Sequence, residues 1–175
     1  MSDANDRVAR IQAEWRRERP DLDVAPQGII GRLHRLAAHL TAELVAVYAR
    51  HGLGEGEFDV LAALRRAGAP YERAPVDLAR HTMVTTGAMT KRLDRLEAAG
   101  LVERRAADGD GRRRIVALTQ AGLAAIEAAF AEHMDNERRL VEQLSAEDRV
   151  ALEPILTRWL SVYEVDEPRG SGPAR

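Results

Sequence analysis

The sequence predicts a mainly α-helical chain with one small β-hairpin, and three observations carry that reading. Amphipathic stretches at helical period fill most of the 175 residues. Two short stretches, 101–105 and 115–119, alternate at period two instead. A short helical segment, 76–81, stands one tight turn (82–84) ahead of a longer one, which is helix-turn-helix spacing.

In chain order, residues 3–19 read as a helix with Val8, Ile11 and Trp15 at i, i+3 and i+7. Pro20 ends it, because the residue before a proline disfavours the helical region. PDLDVAP, 20–26, is an extended linker. A second helix covers 27–51 with a stripe of Ile30, Leu33, Leu36 or Ala37, Leu40, Leu44 and Val47 or Tyr48. Gly52 and Gly54 punctuate the chain before a third helix, 55–67, whose FDVLAAL stretch is apolar apart from Asp59. Residues 70–75, bounded by two prolines, are a break.

Beyond the turn, Met89, Leu93 and Leu96 recur at i, i+4 and i+7, one face of a helix. Thr85 or Thr86 caps its start, and Gly100 stands where a helix C-terminal glycine belongs. Plotted at about 100° per residue, Gly87, Thr90, Lys91 and Arg95 fall on the outward side. Small side chains come first and cations further on, as close approach to DNA and phosphate neutralisation require. In the strand that follows, Leu101, Glu103 and Arg105 lie on one side and Val102 and Arg104 on the other. Ile115, Ala117 and Thr119 alternate with Val116 and Leu118 on the return. Between them, 106–114 holds two Gly, two Asp and three consecutive Arg, too polar for a core. Helix and hairpin together form a winged helix-turn-helix, with an Arg at the tip suited to the minor groove. A solvated hairpin beside an ordinary helix is the alternative.

Thr119 opens a long helix carrying Leu123, Ile126, Phe130, Met134, Val141 and Leu144. Ser145-Ala-Glu-Asp148 resembles a capping box, with Asp in place of Glu or Gln. The last helix carries Val150, Leu152, Ile155, Leu156, Trp159, Leu160 and Tyr163, and Pro154 near its first turns is placed to kink it. Residues 166–175 form a disordered tail. The helices outside the winged unit exceed what that unit's core needs. They are expected to form a dimerisation region that sets two recognition helices about one DNA turn apart. A larger monomeric helical core is the alternative. The expected architecture is therefore α+β: N-terminal helices 1–51, a DNA-binding winged helix-turn-helix 55–118, dimerisation helices 119–165 and the tail.

Charge agrees with a local basic site. The net charge is only −2, yet residues 91–114 contain eight Lys/Arg and five Asp/Glu, which leaves −5 for the rest. No apolar run approaches the roughly 18–20 residues of a membrane span. The start, MSDANDRVAR, is acidic and polar rather than a secretory signal. Zero cysteines exclude a disulfide framework, a thiolate metal site and a thiol switch. A cytoplasmic protein without cofactor or metal is expected. The five histidines (34, 39, 51, 81, 133) form no metal-ligand pair, and glycines 109, 111 and 122 make no phosphate loop, so no enzyme is expected. A winged helix used for protein contacts is the other class, and the cluster Arg112–Arg114 argues against it.

RLDRLEAAGLVERR, the hairpin DGDGRRRIVALTQAG and the flanking helices together resemble the MarR family of bacterial regulators over roughly residues 27–163. In that family an Asp stands two residues before the Arg that enters the minor groove; Asp110 and Arg112 hold those places, with Arg113 beside them. The resemblance implies a homodimeric repressor on a palindromic operator in double-stranded DNA, released by a small ligand. It implies a DNA-binding face of Thr85, Thr86, Gly87, Thr90, Lys91, Arg95, Asp110, Arg112 and Arg113. The absence of cysteine excludes the branch that senses peroxides. An N-terminal helix with Trp15 followed by R-P-D-L-D is similar to the urate-responsive branch of PecS and HucR type. That narrower likeness implies four ligand-binding residues: Trp15, Asp59 in F-D-V-L, Arg92 in T-K-R-L and Arg104 in V-E-R-R, so that segment 1–51 shares in the pocket. A related branch answers to tricarboxylates, and a tricarboxylate or phenolic acid is the alternative ligand.

The residues themselves are compatible with that site. Asp59 breaks an apolar run, so its charge calls for a cationic partner. Arg92 plots at the border of the core-facing side. A planar anion suits bidentate Arg contacts and an indole wall. Trp15 equally fits a packing anchor, Asp59–Arg92 a structural ion pair, and Arg104 a phosphate contact.

Overall fold

The structure, a computed structural model, describes residues 6–82, 85–107 and 110–164. Its elements are α1 (Arg7–Glu18), α2 (Ala25–Arg50), α3 (Glu55–Arg66), β1 (Glu72–Arg73), α4 (Pro75–His81), α5 (Thr86–Ala98), β2 (Val102–Ala107), β3 (Asp110–Leu118), α6 (Gln120–Val141) and α7 (Ala146–Leu160). The chain divides into two compact units, with the boundary inside α6 after Asn136.

In the first unit α1 packs on α2. Asp6 caps it, its carboxylate accepting from the Ala9 N–H at 2.8 Å. The buried residues of α1 are Val8 and Gln12, and the Gln12 amide donates to the Val24 carbonyl at 2.9 Å. The expected stripe of Val8, Ile11 and Trp15 is therefore corrected: Trp15 is 47% exposed, and i, i+4 spacing sets the buried side. α2 starts at Ala25, earlier than expected, because Pro26 falls in the first turn, where its missing N–H costs no bond. Only Val47 and Tyr48 of its apolar stripe are buried.

The core gathers the end of α2, helices α3 to α5, both long strands and the first half of α6. Leu61, Leu64, Leu78, Met89, Leu96 and Ile126 are its largest fully buried side chains, with Val47, Val60 and Val116 next. Met89, Leu93 and Leu96 are all buried, which fixes the rotation of α5 and leaves Gly87 and Lys91 outward.

The strands form one antiparallel sheet in the order β1-β3-β2, with Val102 opposite Leu118, Arg105 opposite Ile115 and Glu72 opposite Ala117. Two expectations are revised here. The 70–75 break contains β1, which two residues are too few to announce by period. Residues 106–107 and 110–114 are strand rather than loop, since β3 begins at Asp110, with a register shift after Ala106 that sets Ala107 opposite Asp110. A junction ties helix, sheet and helix together. Gly100 takes the left-handed φ of 69° that favours glycine. Thr119 donates its hydroxyl proton to the Gly100 carbonyl at 2.7 Å and accepts from the Gly122 N–H at 3.0 Å. A methyl group at Gly122 would collide with the Leu101 carbonyl.

In the second unit Ser145 caps α7, accepting from the Asp148 N–H at 3.0 Å while its hydroxyl donates to the Asp148 carboxylate at 2.7 Å. Val150, Ile155, Leu156 and Leu160 are exposed, and Pro154 lies inside the helix. The tail expected over 166–175 falls outside the described residues. Among the described residues no helix is long and apolar enough to cross a membrane, and no group of three His, Asp or Glu could hold a metal.

Candidate nucleic-acid interface and anion site

Thr85 caps α5, its hydroxyl accepting from the Ala88 N–H at 3.3 Å. The choice left open between Thr85 and Thr86 resolves to Thr85. Gly87, Thr90 and Lys91 are exposed, and a side chain begun at Gly87 would meet nothing of the protein. Among the described residues no carboxylate pairs with Lys91. The side chains of Thr86, Asp110, Arg112 and Arg113 lie outside the described set; their backbones open α5 and run in β3.

Two arginines of α5 rest on the first turn of α3. Arg95 donates from Nε to Glu57 Oε1 at 2.6 Å, and Glu57 is the more withdrawn partner, its side chain 15% exposed against 62% for Arg95. Glu57 stands at the third position of α3 behind Gly54 as N-cap, where a carboxylate meets the positive end of the helix. A methyl group at Gly54 would overlap that carboxylate. Arg92 lies on Gly56, where a methyl group would overlap its guanidinium. The Arg92 Nη1 is buried without a hydrogen-bond acceptor.

Asp59 follows one helical turn after Glu55. Burial raises its pKa above the usual carboxylate range, the charge of Glu55 adds to the rise, and Arg92 and Arg66 oppose it. Among the described ion pairs none joins Asp59 to a cation, so the cationic partner expected for it is a neighbour and not a contact. Glycine at 56 lets the Arg92 guanidinium lie over the helix backbone instead.

Arg104 sits at the other flank of α5. Its Nη2 donates to Asp94 Oδ1 at 2.6 Å and to the Thr90 carbonyl at 3.4 Å, and its Nη1 lies 3.6 Å from Glu97. Its Nε is buried without an acceptor. Thr90, Asp94 and Glu97 fall at i, i+4 and i+7, one line along the helix. At about 100° per residue, the buried stripe of α5 separates this line from Arg92. Of the four proposed ligand residues, Asp59 and Arg92 are thus brought together and Arg104 braces the opposite flank. The described hydrogen bonds, ion pairs and ring contacts join the Trp15 side chain to none of the three. Sequence reasoning missed Gly54, Gly56, Glu57, Asp94 and Glu97. The run G-E-G-E, a glycine inside a helix beside two acids, is the one signal that pointed to the first three.

A model of the MarR family matches residues 51–113. The transcriptional regulator PecS of Dickeya dadantii is 40% identical over 151 residues, which span 86% of this chain and 91% of that one. The multiple antibiotic resistance protein MarR of Salmonella typhimurium is 34% identical over 105 residues, 59% of this chain and 71% of that one. Among solved structures, a cysteine-to-serine mutant of MarR from E. coli complexed with operator DNA superposes with a TM-score of 0.66 at 30% identity, covering 79% of this chain and 99% of that one.

Proposed function

The chain belongs to the MarR family of transcriptional regulators, and from that premise we propose that it represses by binding a palindromic operator as a homodimer in the cytoplasm and is released by a small anion, urate. The likeness to MarR, a protein solved on operator DNA, supports the DNA half. In this reading Thr85, Thr86, Gly87, Thr90 and Lys91 face the major groove, while Arg95, expected on the same face, is engaged by Glu57. Asp110, Arg112 and Arg113 serve the minor groove.

The observation that carries the ligand half is the orphaned guanidinium N–H of Arg92 beside Asp59. A buried donor without an acceptor costs about 1–3 kcal/mol, and an anion at the α3–α5 junction removes that cost. Burial disfavours the charge on Asp59, which shifts its balance toward the form that does not repel the anion. In this reading Trp15, exposed on α1 and in no described contact with the other three, closes over the anion as a flat wall on binding, and Arg104 holds α5 from the far flank while its near flank moves. Complete release requires the ligand to favour the non-binding state by about 5 kcal/mol.

The test is fluorescence anisotropy on a labelled duplex from the DNA upstream of the chain's own gene, with urate, trans-aconitate and salicylate added in parallel. Release by urate alone supports the whole reading. Tight binding that ignores urate but yields to another of the anions keeps the regulator and discards urate. A chain that binds no duplex refutes the DNA half.

A further inference from the structure

We infer that Glu57 is a positioning residue of the recognition helix: a fixed counter-ion that occupies Arg95 and keeps it from the DNA backbone. The inference rests on the DNA-binding reading above and adds a determinant of specificity to it.

Arg95 lies one turn beyond Lys91 on α5, near enough to the outward side to reach the same phosphate track. Lys91 has no carboxylate partner among the described residues, but Arg95 places both Nε and Nη2 on Glu57 Oε1, at 2.6 and 2.5 Å. Glu57 does not follow a mobile partner. Its carboxylate lies in the space left by the missing side chain of Gly54 and at the positive end of α3. It therefore stands where a phosphate would otherwise stand for Arg95. A guanidinium already neutralised by protein displaces no counterion from DNA, and counterion release supplies nearly all non-specific affinity. Withholding one arginine from phosphate therefore lowers affinity for every sequence alike, and base-reading contacts keep a larger share of the binding.

The experiment measures salt slopes for the full chain on its operator duplex and on a scrambled duplex, for the parent, Glu57→Gln, Arg95→Gln and the double variant. Arg95→Gln is expected to keep the parent slope. Glu57→Gln is expected to steepen the slope by about 0.9, one phosphate contact. It should also raise affinity for the scrambled duplex several-fold and lower the operator preference. The double variant is expected to return to the parent slope. A slope that falls by about 0.9 in Arg95→Gln overturns the inference, because Arg95 is then itself a phosphate contact. An unchanged or weaker scrambled-duplex affinity in Glu57→Gln overturns it as well. If Glu57→Gln does not fold, Arg95→Gln at its exposed position decides alone. A parent chain that binds neither duplex overturns the DNA reading and this inference together, whereas normal operator binding with the wrong slopes overturns only this one.

Discussion

Asp59 carries a pH signature whose sign can be worked out. Its pKa is raised in the folded chain, first by burial and then by Glu55, so the native state holds the proton more tightly than the unfolded state. Stability therefore falls as pH rises from the ordinary carboxylate range through the raised value, and the full cost is present above it. We expect Asp59→Asn to melt at a higher temperature than the parent at pH 7 in scanning calorimetry. The gain should vanish in melts run below the ordinary carboxylate range, where both states are protonated. A lower melting temperature at pH 7 would mean that Asp59 is held by a cation. At this scale the oddity of Asp59 was legible, since a lone acid in FDVLAAL is visible in the letters. The neighbours of Gly54 and Gly56 were not, because a glycine shows that space is left without showing which side chain fills it. Arg104 is intermediate. Alternation put it on the same strand side as Val102, and only the fold brought Asp94 and Glu97 to it.

Among elements, the recognition helix depends on its first residue outside the helix. Thr85→Ala removes the one side-chain cap described there and should cost about 1 kcal/mol of stability, read as a shift in the urea midpoint with an unchanged slope. Operator affinity should fall with it, and Thr85→Ser should restore both. An alanine variant with parent stability would show that the cap is dispensable. The long helices were legible because each repeats its period over several turns, whereas the seven-residue α4 was read from its spacing to α5. β1 was not, because Glu72 and Arg73 owe their pairing to Ala117 and Val116, and two residues carry no period. The outer half of the hairpin was hidden for a related reason: its pairing shifts register after Ala106, so no alternation runs through it.

For the whole molecule, exposed apolar surface is the feature to explain. Ile29, Ile30 and Leu36 of α2 stand 45–60% exposed, and α7 exposes Val150, Ile155, Leu156 and Leu160. Apolar surface left exposed on each of these helices fits the proposed homodimer. Sedimentation equilibrium should return twice the 19.3 kDa of the chain. Ile155→Glu with Leu156→Glu should give a monomer whose operator affinity falls by at least 10²-fold, because two half-sites no longer bind as one. A double variant that remains dimeric would remove α7 from the interface. The surplus of amphipathic helix was plain in the sequence, and it is the ground on which the dimer is proposed. An apolar stripe reads the same whether its own chain or a second copy covers it, so for α2 the sequence alone left a dimerisation region and a larger monomeric core both open. The expected boundary at 118/119 met the same ambiguity, since Ile126 and Ala129 of α6 belong to the core of the first unit.

The junction at Gly122 has a consequence for heredity. Every single-base change in a glycine codon that alters the residue adds a Cβ, and at Gly122 any Cβ strikes the carbonyl of Leu101. A random library sorted only for folded protein should return this codon unaltered, apart from silent changes. At Gly87, where an added Cβ meets nothing, the same sort should return many residues, and a second sort on the operator should then remove them. Two glycines that look alike in the text thus answer to different selections, one imposed by the chain and the other by DNA.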